Sequence, residues 1–189
     1  MYKRQPESSP KPIVLDRDGV INEDLWGYVT KNEEFKTIEG SLLAIKKLTD
    51  AGFNVVIATN QACISKKIIN EKQLQEVHDH MSLLVQEAGG KIAHVAFCPH
   101  TPEEKCSCRK PETGLLNEIE EKLGCSLKDS FFIGDKESDV LCAINYGCTP
   151  LLVKTGYGKR SLSSKHCPPE ERCFNNLLDA VHYVLEAQV

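Results

Sequence analysis

Asp16 and Asp18, two positions apart and followed by Gly19, form the first of four short peptides whose residue types suit phosphoryl transfer. The others are Thr59-Asn60-Gln61, Arg109-Lys110, and Gly134-Asp135-Lys136 with Asp139 just beyond. Asp16 and Asp135 are hard oxygen donors of the kind Mg²⁺ accepts, with phosphate and water completing the shell. Thr59 and Lys110 can hold the outer oxygens of a phosphoryl group while charge redistributes over them. A carboxylate beside such a cation and a lysine can attack phosphorus, giving an aspartyl-phosphate that water then cleaves. In an extended segment Asp18 shares a face with Asp16. There it can protonate a leaving oxygen and later deprotonate the attacking water, and a cation on only one of the two acids separates their pKa values. Each peptide alone has an ordinary explanation, as a solvated turn or a helix cap. The weight lies in all four standing, in order, beyond predicted strands.

A second constellation precedes Arg109. Cys98-Pro99-His100-Thr101-Pro102-Glu103-Glu104-Lys105-Cys106-Ser107-Cys108 has the pattern C-x-H-x₅-C-x-C. Three thiolates and an imidazole match a closed tetrahedral Zn²⁺ site. With no open coordination position, that zinc shapes the loop and fixes Arg109 and Lys110. The cysteines at 63, 125, 142, 148, 167 and 173 are scattered and read as small core or surface residues. His78 and His80 face different directions on a helix and make no metal pair. Trp26 reads as loop packing near the site, and Lys66-Lys67 as a solvated pair able to attract an anion.

The elements that must position these residues are legible from periodicity. Ile13–Leu15, Asn54–Ala58, Ile92–Phe97, Phe131–Ile133 and Leu151–Val153 read as buried strands. Between them the 3–4 spacing of Leu42, Ile45 and Leu48, of Leu74, Val77 and Met81, of Leu115 and Ile119, and of Val140 and Ala143 predicts helices, and Leu177, Val181 and Val184 predict a closing one. This alternation predicts an α/β, doubly wound, Rossmann-like three-layer sandwich with a mainly parallel sheet. Ligands then bind beyond the carboxyl ends of the strands.

The chain of 189 residues is one domain by length. Residues 1–11 read as a flexible leader because Pro6 and Pro10 oppose regular structure, and 12–189 as a single domain. Lys plus Arg is 23 and Asp plus Glu is 27, a net −4 that excludes a large basic surface for nucleic acid. No apolar stretch approaches the roughly 20 residues of a membrane span, and the first residues lack the apolar core of a secretory signal. Nine cysteines, an odd number, suit a reducing compartment, and the expectation is a cytoplasmic protein.

Leu15-Asp16-Arg17-Asp18-Gly19-Val20-Ile21-Asn22 resembles the first motif of the haloacid dehalogenase superfamily of phosphatases. Thr59, Lys110 and Gly134-Asp135-Lys136-Glu137-Ser138-Asp139 resemble its other three. The resemblance implies Asp16 as nucleophile and Asp18 as acid/base. It also implies Mg²⁺ held by Asp16, the Asp18 carbonyl and Asp135, with Thr59 and Lys110 stabilising the phosphoryl group and Asp139 supporting the metal shell. Members often insert a cap domain, but only 17 residues separate Asn22 from Gly40 and the later insertion is the cysteine loop. A capless monomer is expected, its loops recognising the substrate.

The first motif together with Thr59-Asn60-Gln61 and Cys98 to Pro111 is similar to a narrower branch, the heptose bisphosphate and histidinol-phosphate phosphatases. Gly27-Tyr28-Val29, Gly134-Asp135-Lys136 and Thr155-Gly156 look more like the heptose members. That likeness implies sugar contacts from Asp24, Gly27, Tyr28 and the stretch Thr59, Asn60, Gln61 and Ala62, substrate recognition by Arg109, and a substrate or phosphate contact from Lys136. Ala62 departs from the Ser or Asp of the branch. The expectation is removal of the 7-phosphate of D-glycero-D-manno-heptose 1,7-bisphosphate, feeding ADP-heptose and lipopolysaccharide core synthesis. The alternatives are histidinol-phosphate hydrolysis, whose cationic substrate calls for an acidic pocket, and a phosphoacceptor signalling module that stores its phosphate. Asp18, and Asp135 following Lys110, argue for turnover against the latter. A zinc-ribbon binding module fits the acidic charge poorly.

Overall fold

A computed structural model describes residues 11–187. All of the expected leader except Lys11 lies outside the described residues. Six strands, β1 (Pro12–Leu15), β2 (Asn54–Asn60), β3 (Ile92–Cys98), β4 (Phe131–Gly134), β5 (Thr149–Val153) and β6 (Cys173–Phe174), form one sheet in the order β3-β2-β1-β4-β5-β6. Every pairing is parallel, with Leu15 beside Ile57 on one side and Ile133 on the other. Six helices, α1 (Ser41–Asp50), α2 (Glu71–Glu87), α3 (Gly114–Leu123), α4 (Glu137–Tyr146), α5 (Gly158–Ser161) and α6 (Leu177–Glu186), accompany it.

Strand alternation explains the layers. Ile13, Leu15, Val55, Ile57, Ile133, Leu151 and Val153 share a core with residues of α1, α2 and α6. Val14, Val56, Ala58, Ala96 and Phe132 pack with residues of α3 and α4 on the opposite face. Because both faces are covered, the central strands read as continuous apolar runs. Between β1 and α1 the only helical turn is Asn32–Glu34, and between β3 and α3 it is Pro102–Glu104, so no cap domain stands over the sheet. None of the described helices is long and apolar enough to cross a membrane.

Three expectations need correction. β2 runs two residues beyond Ala58, and Thr59 and Asn60 pair with Phe97 and Cys98 of β3. Their polar side chains make the strand end look like a loop, but the ladder continues and fixes them. β6 and α5 have two and four residues, too few to print a period. The segment after β1 is a turn and not an extended continuation. Arg17 O accepts from the N–H groups of Val20, Ile21 and Asn22 at 3.2, 2.8 and 3.3 Å, so the chain turns back at Asp18.

Candidate active site

The chain passes from β1 to β2 on one side and β4 lies on the other, so β1 and β4 flank a topological switch point, where doubly wound sheets bind ligands. Asp16, placed here by its own N–H bond to Ile133 O at 2.9 Å, is buried. Asp135 follows β4, and Asp139 lies in the first turn of α4. The three carboxylates offer oxygens within 4.8 Å of one another. Lys110 Nζ lies 2.9 Å from Asp16 Oδ1 and 2.6 Å from Asp139 Oδ1, and donates to Ala58 O at 2.7 Å. Those three partners match the three protons of an ammonium group.

Lys136 Nζ, 3.6 Å from Asp135 Oδ1, offsets the remaining charge only in part. Burial, then the Asp139 carboxylate, push the Asp16 pKa above its ordinary range, with Lys110 and Lys136 opposing. Burial pushes Asp135 up to about 8, against Lys136 and with Asp16 and Asp139 adding to it. Asp135 Oδ2 accepts from Tyr157 N at 2.7 Å, but the buried Asp135 Oδ1 has no hydrogen-bond partner. Gly19 (φ 84°) and Gly156 (φ 53°) bring their backbones against this carboxylate, and a Cβ at either would lie 2.2 Å from Asp135 Oδ2. An orphaned carboxylate oxygen in an all-oxygen donor set fits a hard divalent cation such as Mg²⁺.

Asp18 behaves differently. Its carboxylate is not part of this cluster. Arg17 Nη2 donates to both of its oxygens at 2.9 Å, Asn22 Nδ2 to Oδ1 at 2.9 Å, and Gln61 Nε2 to Oδ2 at 2.8 Å. Burial works to raise its pKa, but Arg17 and these donors hold it below the ordinary range. Two acids on one rim therefore have opposite environments, which is how one site separates two carboxylate roles.

Thr59 Oγ1 accepts from Gln61 Nε2 at 2.9 Å, and Asn60 exchanges two hydrogen bonds with the Lys110 backbone. Asp16, Asp18, Asp24, Gly27, Tyr28, Thr59, Asn60, Arg109, Lys110, Lys136 and Asp139 all line one cavity of about 1120 Å³. Gln61 and Ala62 do not line it: both are buried, and the Gln61 amide is occupied by Asp18 and Thr59.

The cysteine loop closes as expected. Cys98 Sγ lies 3.2 Å from Cys108 Sγ and 3.6 Å from Cys106 Sγ, Cys106 and Cys108 are 3.4 Å apart, and His100 Nδ1 is 3.3 Å from Cys108 Sγ. Zn–S bonds of about 2.3 Å in a tetrahedron separate sulfurs by about 3.8 Å, so this donor set fits Zn²⁺. Arg109 caps the loop, its N–H on Cys106 Sγ at 3.3 Å and Nη1 on His100 O at 2.9 Å.

Two features escape sequence reasoning. Trp26, 60% exposed and with φ 58°, packs edge-on against Tyr157 at 4.5 Å and under Arg160 at 5.1 Å while lining the cavity, so its packing partners come from the segment after β5. Lys136 Nζ lies 4.8 Å from the Tyr157 ring and donates to Asp24 Oδ2 at 3.0 Å. The other feature is Arg17, fully buried, with Nη1 on His78 Nε2 at 3.1 Å. A lone histidine on an apolar helix stripe gives no such signal.

The chain is similar to known proteins in sequence and in fold. Residues 107–180 match a family model described as "HAD-hyrolase-like". The chain is 39% identical over 178 residues to the D-glycero-beta-D-manno-heptose-1,7-bisphosphate 7-phosphatase of Neisseria meningitidis, covering 93% of this chain and 95% of the relative. It is 41% identical over 167 residues to the Pseudomonas putida protein of the same name, covering 88% and 95%. Among solved structures, the B. bronchiseptica D,D-heptose 1,7-bisphosphate phosphatase, complexed with magnesium and phosphate, superposes with a TM-score of 0.88 at 34% identity, covering 94% of this chain and 99% of that one. With that identity running over nearly the whole chain, and with the carboxylate cluster and cysteine loop in place, the chain belongs to the haloacid-dehalogenase-like phosphatases, in the family of the heptose bisphosphate 7-phosphatases.

Proposed function

We propose that this protein is a Mg²⁺-dependent phosphatase that removes the 7-phosphate of D-glycero-beta-D-manno-heptose 1,7-bisphosphate through an aspartyl-phosphate at Asp16. The reading places it in the cytoplasm as a single-domain monomer serving ADP-heptose and lipopolysaccharide core synthesis, with Zn²⁺ on Cys98, His100, Cys106 and Cys108. The reaction and substrate are those named for the relatives. The β anomer is chosen because both relatives described above carry it in their names.

Asp16, Asp135 and the Asp18 carbonyl would hold Mg²⁺, with Asp139 supporting them. When bound, the cation neutralises the crowded carboxylates and the charge that gathers on the phosphoryl oxygens. Lys110 and Thr59 face that same charge from the protein side. Asp16 attacks phosphorus. Asp18, ionised in the free site, gains proton affinity when a phosphate dianion arrives beside it. It takes up a proton from solvent, donates it to the leaving sugar oxygen, and takes one back from the water that attacks phosphorus and releases phosphate from Asp16.

The observation that carries the substrate choice is a difference between cations. Lys110 and Lys136 are ion-paired with carboxylates, whereas among the described residues Lys66, Lys105 and Arg109, lining the same cavity, form no ion pair, Lys66 and Arg109 feeling the more distant charge of the exposed Glu103. Ser65 N–H on Pro99 O at 3.2 Å ties the Lys66 segment to the cysteine loop that carries the other two. A second phosphate satisfies such a wall and the ammonium of histidinol phosphate does not. Phosphate release from both heptose bisphosphate anomers and from histidinol phosphate tests this. The β bisphosphate is expected to give the highest kcat/KM, and a preference for histidinol phosphate would overturn the assignment.

A further inference from the structure

His78 lies on the buried stripe of α2 with Leu74, Val77, Met81 and Val85, and it is 2% exposed. A buried imidazole among apolar residues is costly unless its polar atoms are paired. Its partner here is Arg17 Nη1 at 3.1 Å. A guanidinium has donors and no acceptor, so His78 Nε2 must accept, and the ring is neutral with its proton on Nδ1. Burial first, and then the Arg17 charge, hold its pKa down to about 3. On its other side Arg17 grips Asp18, through Nη2 to both oxygens at 2.9 Å and through Nε to Oδ1 at 3.1 Å. Arg17 is fully buried, so in the intact protein Nη1 relies on His78 for its acceptor.

We propose that His78 is a positioning residue for the reaction. Through Arg17 it fixes the direction in which the Asp18 carboxylate presents its oxygens to the leaving group. α2 supplies no residue to the cavity lining, yet through this relay it determines how the acid/base is aimed. The capping box of Asn70 and Gln73 anchors the start of α2, which fixes the depth at which His78 meets Arg17. The inference rests on Asp18 acting as the acid/base.

The test compares two leaving groups. A nitrophenolate departs without a proton, whereas a sugar alkoxide requires one. In His78→Gln the side-chain oxygen reaches the former Nε2 position and accepts from Arg17, so kcat on both substrates stays within about twofold of wild type. In His78→Asn the amide is too short to do so. There kcat/KM on the sugar phosphate, which reports the steps up to departure of the leaving group, falls about tenfold or more, while kcat/KM on nitrophenyl phosphate is far less affected. Equal losses for Gln and Asn, or equal losses of kcat/KM on both substrates, would overturn the inference. Asp18→Asn is the control for the reading beneath it: if that variant lowers kcat/KM on both substrates alike, the acid/base assignment fails, and not the role of His78. Nitrogen NMR of the wild-type imidazole needs no variant. Neutral His78 protonated on Nδ1 is expected, and a proton on Nε2 contradicts the relay.

Discussion

The side chain of Asn60 and the backbone of Lys110, 50 positions apart, exchange two hydrogen bonds of 3.1 Å each, Lys110 N–H to Asn60 Oδ1 and Asn60 Nδ2 to Lys110 O. Asn60 is rigid because it ends β2 in register with Cys98. The lysine that faces Asp16 is thus aligned by the sheet as well as by its own ion pairs. Removing the clamp in Asn60→Ala lets Lys110 drift, and a displacement of about 1 Å costs on the order of a hundredfold in rate. The expected result is a kcat reduced by about ten- to a hundredfold with zinc content unchanged, measured by steady-state kinetics and metal analysis.

The crowded carboxylates make metal binding depend on pH. Asp135 is held near 8 in the folded, metal-free site against an ordinary 3.8. Folded protein then binds more protons than unfolded, so this group's contribution to stability is full below about pH 4 and is lost as pH rises towards 8. Melting of metal-free protein is expected to show that decline, and Mg²⁺ to reverse it with release of protons near pH 7. Calorimetry in buffers of different ionisation enthalpy counts those protons, and zero release contradicts the proposed ligand set.

Zinc is expected to act on the rate only through geometry. Cys106→Ser with Cys108→Ser removes two of the four donors, so bound zinc and melting temperature both fall. Because Arg109 N–H rests on Cys106 Sγ and Lys110 follows directly, kcat/KM falls at least about tenfold. Zinc retained at full stoichiometry in the double variant would remove these cysteines from the site.

The unpaired cations separate binding from chemistry. Lys66→Ala and Arg109→Ala each remove a charge that a second phosphate would use, worth about 1.5–3 kcal/mol when charge-assisted hydrogen bonds form. KM for a sugar bisphosphate is expected to rise about ten- to a hundredfold in each variant, and KM for a monophosphate to change little. Kinetics on the two substrates decide the point.

Most of the sheet and the catalytic peptides were legible because both come from short, strongly constrained stretches. β-branched runs such as Asn54–Ile57 mark buried strands, and four polar peptides standing in order just beyond such strands point jointly to a ligand. The rest depends on side chains that are ambiguous locally. Arg17 reads as a surface residue until Asp18 and His78, 61 positions from it, are seen to bury it. Thr59 and Asn60 look like loop residues because strand pairing is a property of the neighbour, β3. Gln61 looked like a sugar contact but is occupied inside the protein by Asp18 and Thr59. Trp26 reads as packing and does pack, but nothing near it in sequence announces its partner Tyr157, which the loop after β5 brings to it.

The nucleophile remains the claim on which the others depend. Protein mixed with Mg²⁺ and one equivalent of bisphosphate labelled at the 7-phosphate, quenched in acid within a single turnover and digested, is expected to carry the label on Asp16 alone. Label on any other residue, or turnover without a labelled peptide and with inversion at phosphorus, would contradict the account.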